Sequence, residues 1–220
     1  IIMAVNICIP VLNRYDLLDK LLVSLLDSTM KPTGVYIIDN GGNFSIRREL
    51  VKLNIAVYRP QENIGVAKSW NWFLKNVKDV RIITNDDIVF FPDSIEKLVK
   101  EYNQKFLVYP TGVNNGINSF SCFMLPDNIV KKVGYFDEDI SPNYAYFEDN
   151  DYHRRMKFLG FDTKIAKESF VGHFGSATLE SYSKEEKEEH HRKFRLARAN
   201  YIKKWGGLPG KETFSVPFGK

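Results

Sequence analysis

Short apolar, β-prone runs alternate with segments of helical periodicity through the first half of this chain, and this alternation most constrains its fold. The run from Val5 to Ile9 predicts a strand, and leucines at helical spacing predict a helix from Tyr15 to Ser28. The same pattern predicts further strands and helices, in turn, at residues 35–38, 46–53, 55–58, 65–77 and 80–84. It indicates an α/β fold with a mostly parallel central sheet flanked by helices.

Length and composition indicate a single domain. The chain has 220 residues, 44% of them hydrophobic and 26% charged, which suits one α/β unit with a sizeable core. The second half is less regular, with strands expected at 106–109, 119–125 and 163–171 and helices at 126–133, 148–159 and 183–205. No apolar run is long enough to cross a bilayer. The apolar segment from Ile1 to Pro10 lacks a basic leader, so we interpret it as a core strand and not as a signal peptide.

The two cysteines, Cys8 and Cys122, both lie in apolar runs. Buried free thiols in a reducing compartment explain this placement better than a disulfide does, so a cytoplasmic protein is expected. No spacing of cysteine and histidine suggests structural zinc.

The formal net charge is +4, and it is concentrated near the end of the chain. Residues 183–204 hold eight lysines and arginines against four glutamates. A solvated helix face explains this excess, and attraction to an anionic membrane surface or to a polyanionic substrate is the alternative. The basic residues lack the interleaved aromatic residues of a nucleic-acid platform, so no nucleic-acid partner is expected.

Polar turns follow several of the predicted strands. Ligands of an open parallel sheet bind beyond the carboxyl ends of its strands, so these turns are the candidate site. Each is rich in side chains that hydrogen-bond or ligate; they lie at residues 10–13, 39–40, 62–65 and 85–87.

The most informative of these turns is Asn85-Asp86-Asp87, in which an apolar run ends abruptly in one amide side chain and two carboxylate side chains. Clustered oxygen ligands at a sheet edge can hold a divalent cation, which in turn can hold a diphosphate. Because neighbouring side chains on an extended backbone point opposite ways, Asn85 and Asp87 are expected to face one site and Asp86 the other side. The alternative is a plain turn built by Asx side chains.

A second acidic group stands at a predicted helix start, behind an aromatic-rich loop from Phe136 to Tyr146. Acidic residues there offset the helix macrodipole, and Asp151 with Arg155 makes an ordinary i,i+4 ion pair, so Asp151 is assigned a structural role. Glu148 and Asp149 lie where the loop meets the helix. A carboxylate at that point can act as a general base toward a hydroxyl.

Two further positions have both a functional and a structural interpretation. His173 follows a predicted strand between glycines and can approach a ligand closely, whereas a lone histidine is more often structural. His153, His190 and His191 lie on predicted helices and are assigned no chemistry. Gly65 is expected to open a helix whose backbone N–H groups suit an anion or a sugar hydroxyl, with an N-cap by the neighbouring asparagine as the alternative.

In order and spacing, these segments resemble the GT-A glycosyltransferases, especially family-2-like members, over roughly Val5 to Ser176. The segments that carry the resemblance are Ile7 to Arg14, Ile37 to Gly41, Asn63-Ile64-Gly65 with Lys68 and Asn71, Asn85-Asp86-Asp87, Glu148 to Arg155, and His173. Asn85 departs from the family pattern, because it occupies the first position of the DxD motif. Residues 201–207 are similar to a C-terminal extension of viral and bacterial members.

The resemblance implies a site as well as a fold. It implies that the nucleotide sugar contacts Pro10, Val11, Asn13, Arg14, Asp39, Asn63, Gly65, Lys68, Asn71, Asn85 and Asp86. It implies Mn²⁺ or Mg²⁺ held by Asp87 and His173, with Asp149 as the catalytic base. The acceptor side is expected to include Trp70, Tyr144, Tyr146 and Glu148, although Trp70 also suits the core.

The resemblance also implies a division of the chain and an activity. Residues 1–180 would form the GT-A domain, with 1–110 as the nucleotide-sugar half and 111–180 as the acceptor half. Residues 181–220 would form a helix and tail packed on the same domain. The expected reaction moves a sugar, with inversion, from a nucleotide-diphosphate donor, with UDP as the expected nucleotide, to a hydroxyl of a glycan or other acceptor.

Three other classes compete with this interpretation. A non-catalytic nucleotide-sugar-binding module would keep the fold but not the turnover. A sugar-nucleotide pyrophosphorylase would need a Gly-rich basic loop after the first strand, which residues 11–14 do not provide. A phosphatase of the haloacid-dehalogenase type would need an Asp nucleophile at position 85, where this chain has Asn.

Overall fold

The computed structural model describes residues 4–113, 117–175 and 182–220. The described strands are β1 Val5–Val11, β2 Gly34–Asp39, β3 Ile55–Tyr58, β4 Val80–Thr84, β5 Ile88–Phe90, β6 Phe106–Gly112, β7 Cys122–Met124 and β8 Asp162–His173. The described α-helices are α1 Tyr15–Asp27, α2 Gly65–Asn76, α3 Ser94–Lys100, α4 Asp127–Val133, α5 Glu148–Phe158 and α6 Lys184–Trp205. Short 3₁₀ helices span Arg48–Leu53 and Pro217–Gly219.

The strands form one sheet in the order β3-β2-β1-β4-β7-β6-β8-β5. Its first half is parallel, because β1 pairs with β2 and β4, and β2 pairs with β3. Its second half is mixed: β7 runs antiparallel to β4 and β6, β8 runs parallel to β6, and β5 runs antiparallel to β8. The predicted α/β fold is confirmed, and the regular alternation of the first half of the sequence corresponds to the parallel half of the sheet.

Both faces of the central strands are buried, which explains their continuous apolar runs. Ile7 and Ile9 of β1 pack with Leu18 of α1 on one face of the sheet. Cys8 packs in a separate cluster that includes Phe73 of α2, whereas Cys122 packs in the cluster of Ile7. The two buried thiols are therefore free, as predicted, and they belong to different halves of the core.

An aromatic cluster fills the core beside α2, and it contains Trp70. The Trp70 ring is 3% exposed and lies 4.9 Å from the Phe136 ring and 5.3 Å from the Phe123 ring, measured between centroids. Asn71 is also buried, where its side chain donates to the Phe136 carbonyl and accepts from the Phe136 backbone N–H. The structure thus places Trp70 and Asn71 in the core, away from the site to which sequence analysis assigned them, because the face of α2 that carries them turns inward.

Helix α6 is anchored to the domain through Asp151. This fully buried carboxylate accepts from Trp205 Nε1 at 2.9 Å and from Arg155 Nε at 2.8 Å, and it pairs with Lys204 Nζ at 2.6 Å. The predicted structural role of Asp151 is confirmed. Since two cations and an indole N–H surround it, its charge is compensated, and removal of the carboxylate would leave those donors unpaired.

The helix α6 begins at the capping box of Ser183 and Glu186, where Glu186 N donates to Ser183 Oγ at 3.2 Å. At 22 residues it is the longest helix of the described chain and is rich in charge along its exposed face. Within the three described ranges, no helix combines the length and apolar character needed to cross a membrane.

Candidate active site

A cavity of about 420 Å³ opens at the carboxyl ends of β1, β2 and β4, where the polar turns of the sequence come together. Eleven sequence-predicted residues line it: Pro10, Val11, Asn13, Asn63, Gly65, Asn85, Asp86, Asp87, Tyr144, Tyr146 and His173. Eight others complete the lining without having been assigned a role: Leu12, Asn40, Val66, Asn118, Ser121, Ala145, Tyr182 and His190. Seven predicted residues lie outside the lining: Arg14, Asp39, Lys68, Trp70, Asn71, Glu148 and Asp149.

Asn85, Asp86 and Asp87 all line this one cavity, whereas the extended-strand pattern predicts Asp86 on the side opposite Asn85 and Asp87. The strand β4 ends at Thr84, and the chain then turns through Asp86 and Asp87 before β5 begins. Alternation holds only on an extended backbone, and a turn brings neighbouring side chains to the same side. The backbone N–H of Asn85 fixes the start of this turn by donating to the Ser121 carbonyl at 2.8 Å.

The imidazole of His173 reaches the Asp87 carboxylate, with 3.3 Å between Nε2 and Oδ2. The antiparallel pairing of β5 with β8 sets this distance, because it places His173 opposite Ile88. The other carboxylate oxygen, Asp87 Oδ1, is buried and has no hydrogen-bond partner in the part of the chain that the structure describes. Burial, reinforced by the charge of Asp87, raises the pKa of Asp86 to about 7.

These residues fit a divalent cation that binds together with a substrate phosphate. Within the described ranges, no three or more Asp, Glu, His or Cys side chains converge on one point as in an all-protein metal cage. Small hard cations commonly use one or two carboxylates and complete their shell with substrate phosphates and water. Asp87 Oδ1, which has no partner among the described residues, is available to coordinate such a cation. A cation here would also offset the repulsion between the neighbouring carboxylates of Asp86 and Asp87.

Gly65 at the start of α2 is required by a close approach of two backbones. Its φ is +75°, and a Cβ at this position would lie 2.3 Å from Tyr144 N and 2.6 Å from the Asn143 carbonyl carbon. Gly65 N donates to Asn63 Oδ1 at 2.8 Å, and Val66 N donates to the Tyr144 carbonyl at 2.7 Å. Two of the N–H groups at this helix start are therefore already used, and the one on Val66 holds the loop that carries Tyr144.

Lys68 serves the same loop, because its Nζ donates to Asn143 Oδ1 at 2.8 Å. Asn40 ties the end of β2 to the same region, where its Oδ1 accepts from Ile64 N at 3.1 Å and its Nδ2 donates to Ser69 Oγ at 3.2 Å. The segment Asn63-Ile64-Gly65 and the first turn of α2 thus connect the end of β2 to the loop that carries Tyr144.

Asp39 shapes the turn that carries Asn40. Its fully buried carboxylate accepts from the backbone N–H groups of Gly42 and Phe44, both at 2.9 Å, and from the Tyr15 hydroxyl at 2.8 Å. The Arg14 guanidinium forms an ion pair with the exposed carboxylate of Asp16, with 2.8 Å between Nη2 and Oδ2. These two predicted nucleotide contacts lie beside the cavity, not in its lining.

The loop that precedes α5 takes an unusual backbone path. Tyr146 and Phe147 have φ values of 94° and 69°, a region that non-glycine residues enter at a cost of about 1–3 kcal/mol each. This path directs Glu148 inward at the first position of α5, where its side chain is buried and its Oε2 has no hydrogen-bond partner among the described residues. Such strain persists where surrounding structure enforces it, and it is often found at functional sites.

Glu148, which is buried, and Asp149, which is half-buried, are adjacent carboxyl groups at the start of α5. Burial, followed by the charge of Asp149, raises the pKa of Glu148 to about 8. Burial also raises the pKa of Asp149, opposed by the backbone N–H of Asn150, which donates to Asp149 Oδ1 at 2.8 Å. Because two adjacent carboxylates in such a site resist double ionisation, and the pKa of Glu148 is raised to about 8, Glu148 retains its proton at neutral pH. A desolvated carboxylate of this kind is a stronger base than one in water.

The C-terminal helix α6 supplies part of the cavity wall, which sequence analysis did not predict. His190 is buried there, with its Nδ1 2.7 Å from the Tyr144 hydroxyl, and its ring packs edge-on against Tyr146 and Tyr182. The signal was present in the sequence, since His190 shares the inward face of an otherwise charged helix with Phe194. That face continues at helical spacing through Ala197, Tyr201 and Trp205.

The sequence of this chain matches a known protein family. The model of the family described as "Glycosyl transferase family 2" matches residues 6–158, more than half of the chain. No protein of curated function matches the chain in sequence.

Solved structures resemble the chain in fold. A mannosyltransferase, PcManGT from Pyrobaculum calidifontis in complex with GDP-Man and Mn²⁺, is 13% identical with a TM-score of 0.61, covering 91% of this chain and 62% of its own. TarS of S. aureus is 15% identical with a TM-score of 0.60, covering 91% and 40%. GalNAc-T7 with UDP, GalNAc and Mn²⁺ is 11% identical with a TM-score of 0.63, covering 93% and 49%.

This chain therefore spans between two fifths and two thirds of the length of these relatives. At these identities the likeness establishes the shared fold, whereas the family match establishes kinship. The matched residues include the turns at the ends of β1, β2 and β4 and the acidic start of α5. The chain belongs to glycosyl transferase family 2, and it has the GT-A fold of these glycosyltransferases.

Proposed function

We propose that this chain transfers a sugar, with inversion, from a nucleotide-diphosphate donor to a hydroxyl of a glycan or related acceptor. The observation that carries the proposal is the meeting of Asp87 and His173 at the end of β4, where Asp87 Oδ1 lacks a partner among the described residues. A diphosphate-bound cation is the ligand that suits this arrangement. Two relatives of the same fold support the proposal, since one was solved with GDP-Man and Mn²⁺ and the other with UDP, GalNAc and Mn²⁺.

In this proposal the donor occupies the strand-end side of the cavity. The end of β1 with its turn, the segment between β3 and α2, and the turn after β4 provide the nucleotide and ribose contacts, with UDP as the expected nucleotide. The contacting residues are Pro10, Val11, Asn13, Asn63, Asn85 and Asp86. Asp39 and Lys68 act from behind this lining, because their side chains hold the turn after β2 and the loop that carries Tyr144, whereas Arg14 pairs with Asp16 beside it.

Asp87 and His173 would hold Mn²⁺ or Mg²⁺ beside the donor diphosphate. When bound, such a cation neutralises negative charge on the departing nucleotide and orients the diphosphate. The carboxylate of Asp87 presents an oxygen that no described protein group occupies. Nε2 of His173 lies close enough to the second oxygen for both side chains to face one ion.

Asp149 is the proposed general base. It takes the proton of the acceptor hydroxyl as that oxygen bonds to the anomeric carbon, and the nucleotide leaves from the opposite face with the bonding electron pair. Proton transfer of this kind contributes a factor of about 10²–10⁴ in rate. Burial raises the pKa of Asp149, which strengthens it as a base, and the protonated neighbour Glu148 keeps the pair at a single charge.

The proposal assigns residues 1–110 to donor binding and residues 111–180 to the acceptor, with residues 181–220 as a helix and tail on the same domain. The interaction of Asp151 with Trp205 and Lys204 supports the last assignment. The acceptor side includes Tyr144, Tyr146 and Glu148, which lie on or beside the loop that leads to Asp149.

The experiment that tests this function follows nucleotide release from UDP- and GDP-sugars with Mn²⁺, with and without a panel of p-nitrophenyl glycosides as acceptors. We expect metal-dependent release, and NMR of the product should show the anomeric configuration inverted relative to the donor. A non-catalytic binding module would bind the nucleotide sugar and release nothing. Retention of configuration would contradict the role assigned to Asp149.

A further inference from the structure

The group around the Tyr144 hydroxyl lies partly outside the residues that match the family. The family match ends at residue 158, whereas Tyr182 and His190 lie beyond it at the start of α6. The Tyr144 hydroxyl lies 2.7 Å from His190 Nδ1, and the His190 ring itself packs edge-on against Tyr182. One hydroxyl of the acceptor loop is thus fixed from this C-terminal segment.

The surroundings of His190 favour a neutral imidazole that holds a single geometry. His190 is only 9% exposed, and burial, followed by the charge of His191, lowers its pKa. Its ring centroid lies 5.4 Å from that of Tyr146 and 5.8 Å from that of Tyr144, both in edge-on geometry. A neutral imidazole has one donor and one acceptor nitrogen, so the Nδ1 contact with Tyr144 determines the orientation of both rings.

Tyr144 and Tyr146 both line the cavity. Tyr144 is held on one side by the start of α2, where its carbonyl accepts from Val66 N, and on the other by His190. Tyr146 precedes Glu148 and Asp149 by only a few residues. Cavities lined by aromatic rings with a few well-placed polar atoms suit ring-shaped ligands that are apolar on their faces and polar at their edges, as pyranoses are.

We propose that His190 is a positioning residue for the acceptor, which fixes the Tyr144 hydroxyl so that Tyr144 and Tyr146 form a platform for a pyranose ring of the acceptor. This inference rests on the proposed function, because it assigns the aromatic end of the cavity to the acceptor. It makes α6 a part of the site, although the helix lies outside the family match. His190 acts through Tyr144 and takes no part in the bond exchange.

The test compares His190→Phe with His190→Asn in the full chain. Phenylalanine keeps the ring packing and removes the nitrogen, whereas asparagine keeps a hydrogen-bonding atom near the position of Nδ1. Each variant is assayed with Mn²⁺ and the nucleotide sugar that wild type turns over, first with water alone and then with p-nitrophenyl pyranosides. His191→Asn, which changes an exposed histidine next in sequence, is the matched control.

For His190→Phe we expect the KM for the pyranoside to rise about tenfold, as loss of one buried hydrogen bond predicts, while hydrolysis of the donor by water stays within about twofold of wild type. His190→Asn should recover most of the acceptor KM. Tyr144→Phe removes the same bond from the other side, and the double variant should be no worse than either single one. If His190→Phe does not fold, Tyr144→Phe carries the test alone.

Three results would overturn the inference. The first is an acceptor KM for His190→Phe and Tyr144→Phe within about twofold of wild type, since the hydrogen bond would then have no bearing on the acceptor. The second is a His190→Asn variant as impaired as His190→Phe, because packing alone would explain the loss. The third is a rise in donor KM equal to that for the acceptor. Failure of the proposed function is distinct, because wild type itself would then release no nucleotide from any donor.

Discussion

Oδ2 of Asp87 lies 3.3 Å from Nε2 of His173, although the two residues come from opposite halves of the chain. The contact exists because β5, only three residues long, pairs antiparallel with the end of β8. His173 ends β8 and Asp87 directly precedes β5, so the pairing of these two strands sets the positions of both residues. The two motifs proposed to bind the metal therefore meet at one point of the cavity wall.

Asp149→Asn should lower the rate of sugar transfer by a factor of about 10²–10⁴ and leave donor binding nearly unchanged, because an amide cannot accept the hydroxyl proton. The measurement is the steady-state transfer rate beside the dissociation constant of the nucleotide in the presence of Mn²⁺. Asp139→Asn is the matched control, since that residue is exposed in the preceding loop. Wild-type turnover in Asp149→Asn would remove Asp149 from the role of base.

Glu148 should make folding stability depend on pH. Burial raises its pKa from an ordinary value of 4.5 to about 8, so the folded protein binds this proton more tightly than the unfolded chain does. The stabilisation is fully present below pH about 4.5 and is lost as the pH rises toward 8, by an amount on the order of a few kcal/mol. Chemical denaturation across this range should show the fall for wild type.

Glu148→Gln keeps the shape of the neutral acid and cannot ionise, so its stability should vary much less over the same range of pH. Glu185→Gln, at an exposed position on α6, provides the control and should follow wild type. Identical pH profiles for wild type and Glu148→Gln would contradict the retained proton.

Gly65→Ala should destabilise the protein and displace the loop that carries Tyr144, because the new Cβ would lie 2.3 Å from Tyr144 N. Gly160→Ala separates this clash from the strain of a positive φ, since Gly160 has a φ of +76° and nothing within 4 Å of its Cβ position. The left-handed backbone alone costs about 1–2 kcal/mol, and overpacking adds about 1–3 kcal/mol at position 65. Urea unfolding of both variants measures the difference in their free energies of unfolding. Equal losses would contradict the clash, because they would show that the Tyr144 loop shifts without cost.

Asp151→Asn should cost about 3–5 kcal/mol of stability, because it leaves Arg155 and Lys204 without the buried carboxylate that pairs them. Thermal unfolding measures the loss, and Asp162→Asn, which alters an exposed ion pair with Lys157, should change stability by less than about 1 kcal/mol. A small effect at both positions would mean that α6 is held to the domain by its apolar face alone.

The parallel half of the fold could be predicted from the sequence because its signals are local. The strands β1 and β4 are continuous apolar runs buried on both faces, and α1 carries leucines at helical spacing. The strand β5 was missed, since three residues between a turn and a helix give no periodicity and its stability comes from pairing with β8. Long-range pairing of this kind has no local signature.

The site was predictable to the extent that its residues stand in turns after predicted strands. Asn85, Asp86 and Asp87 were found for that reason, whereas the rule that neighbouring side chains alternate applies to extended backbone and not to the turn at Asp86 and Asp87. His190 was missed because its role comes from the packing of α6 on a distant loop. At the helix start expected to bind an anion, Gly65 N donates to the Asn63 side chain and Val66 N to the Tyr144 carbonyl, a partner that sequence alone does not reveal.

Thermal unfolding with Mn²⁺ alone, UDP alone, and both together tests metal-coupled donor binding most directly, using wild type, Asp87→Asn and the exposed control Asp93→Asn. A ligand at a hundred times its dissociation constant stabilises the folded state by about 2.7 kcal/mol, which corresponds to a shift of about 5–10 °C for a domain of this size. We expect that shift in wild type and Asp93→Asn only when Mn²⁺ and UDP are present together, and its loss in Asp87→Asn. A full shift in Asp87→Asn, or no shift in wild type with any nucleotide diphosphate and metal, would contradict the proposed donor site.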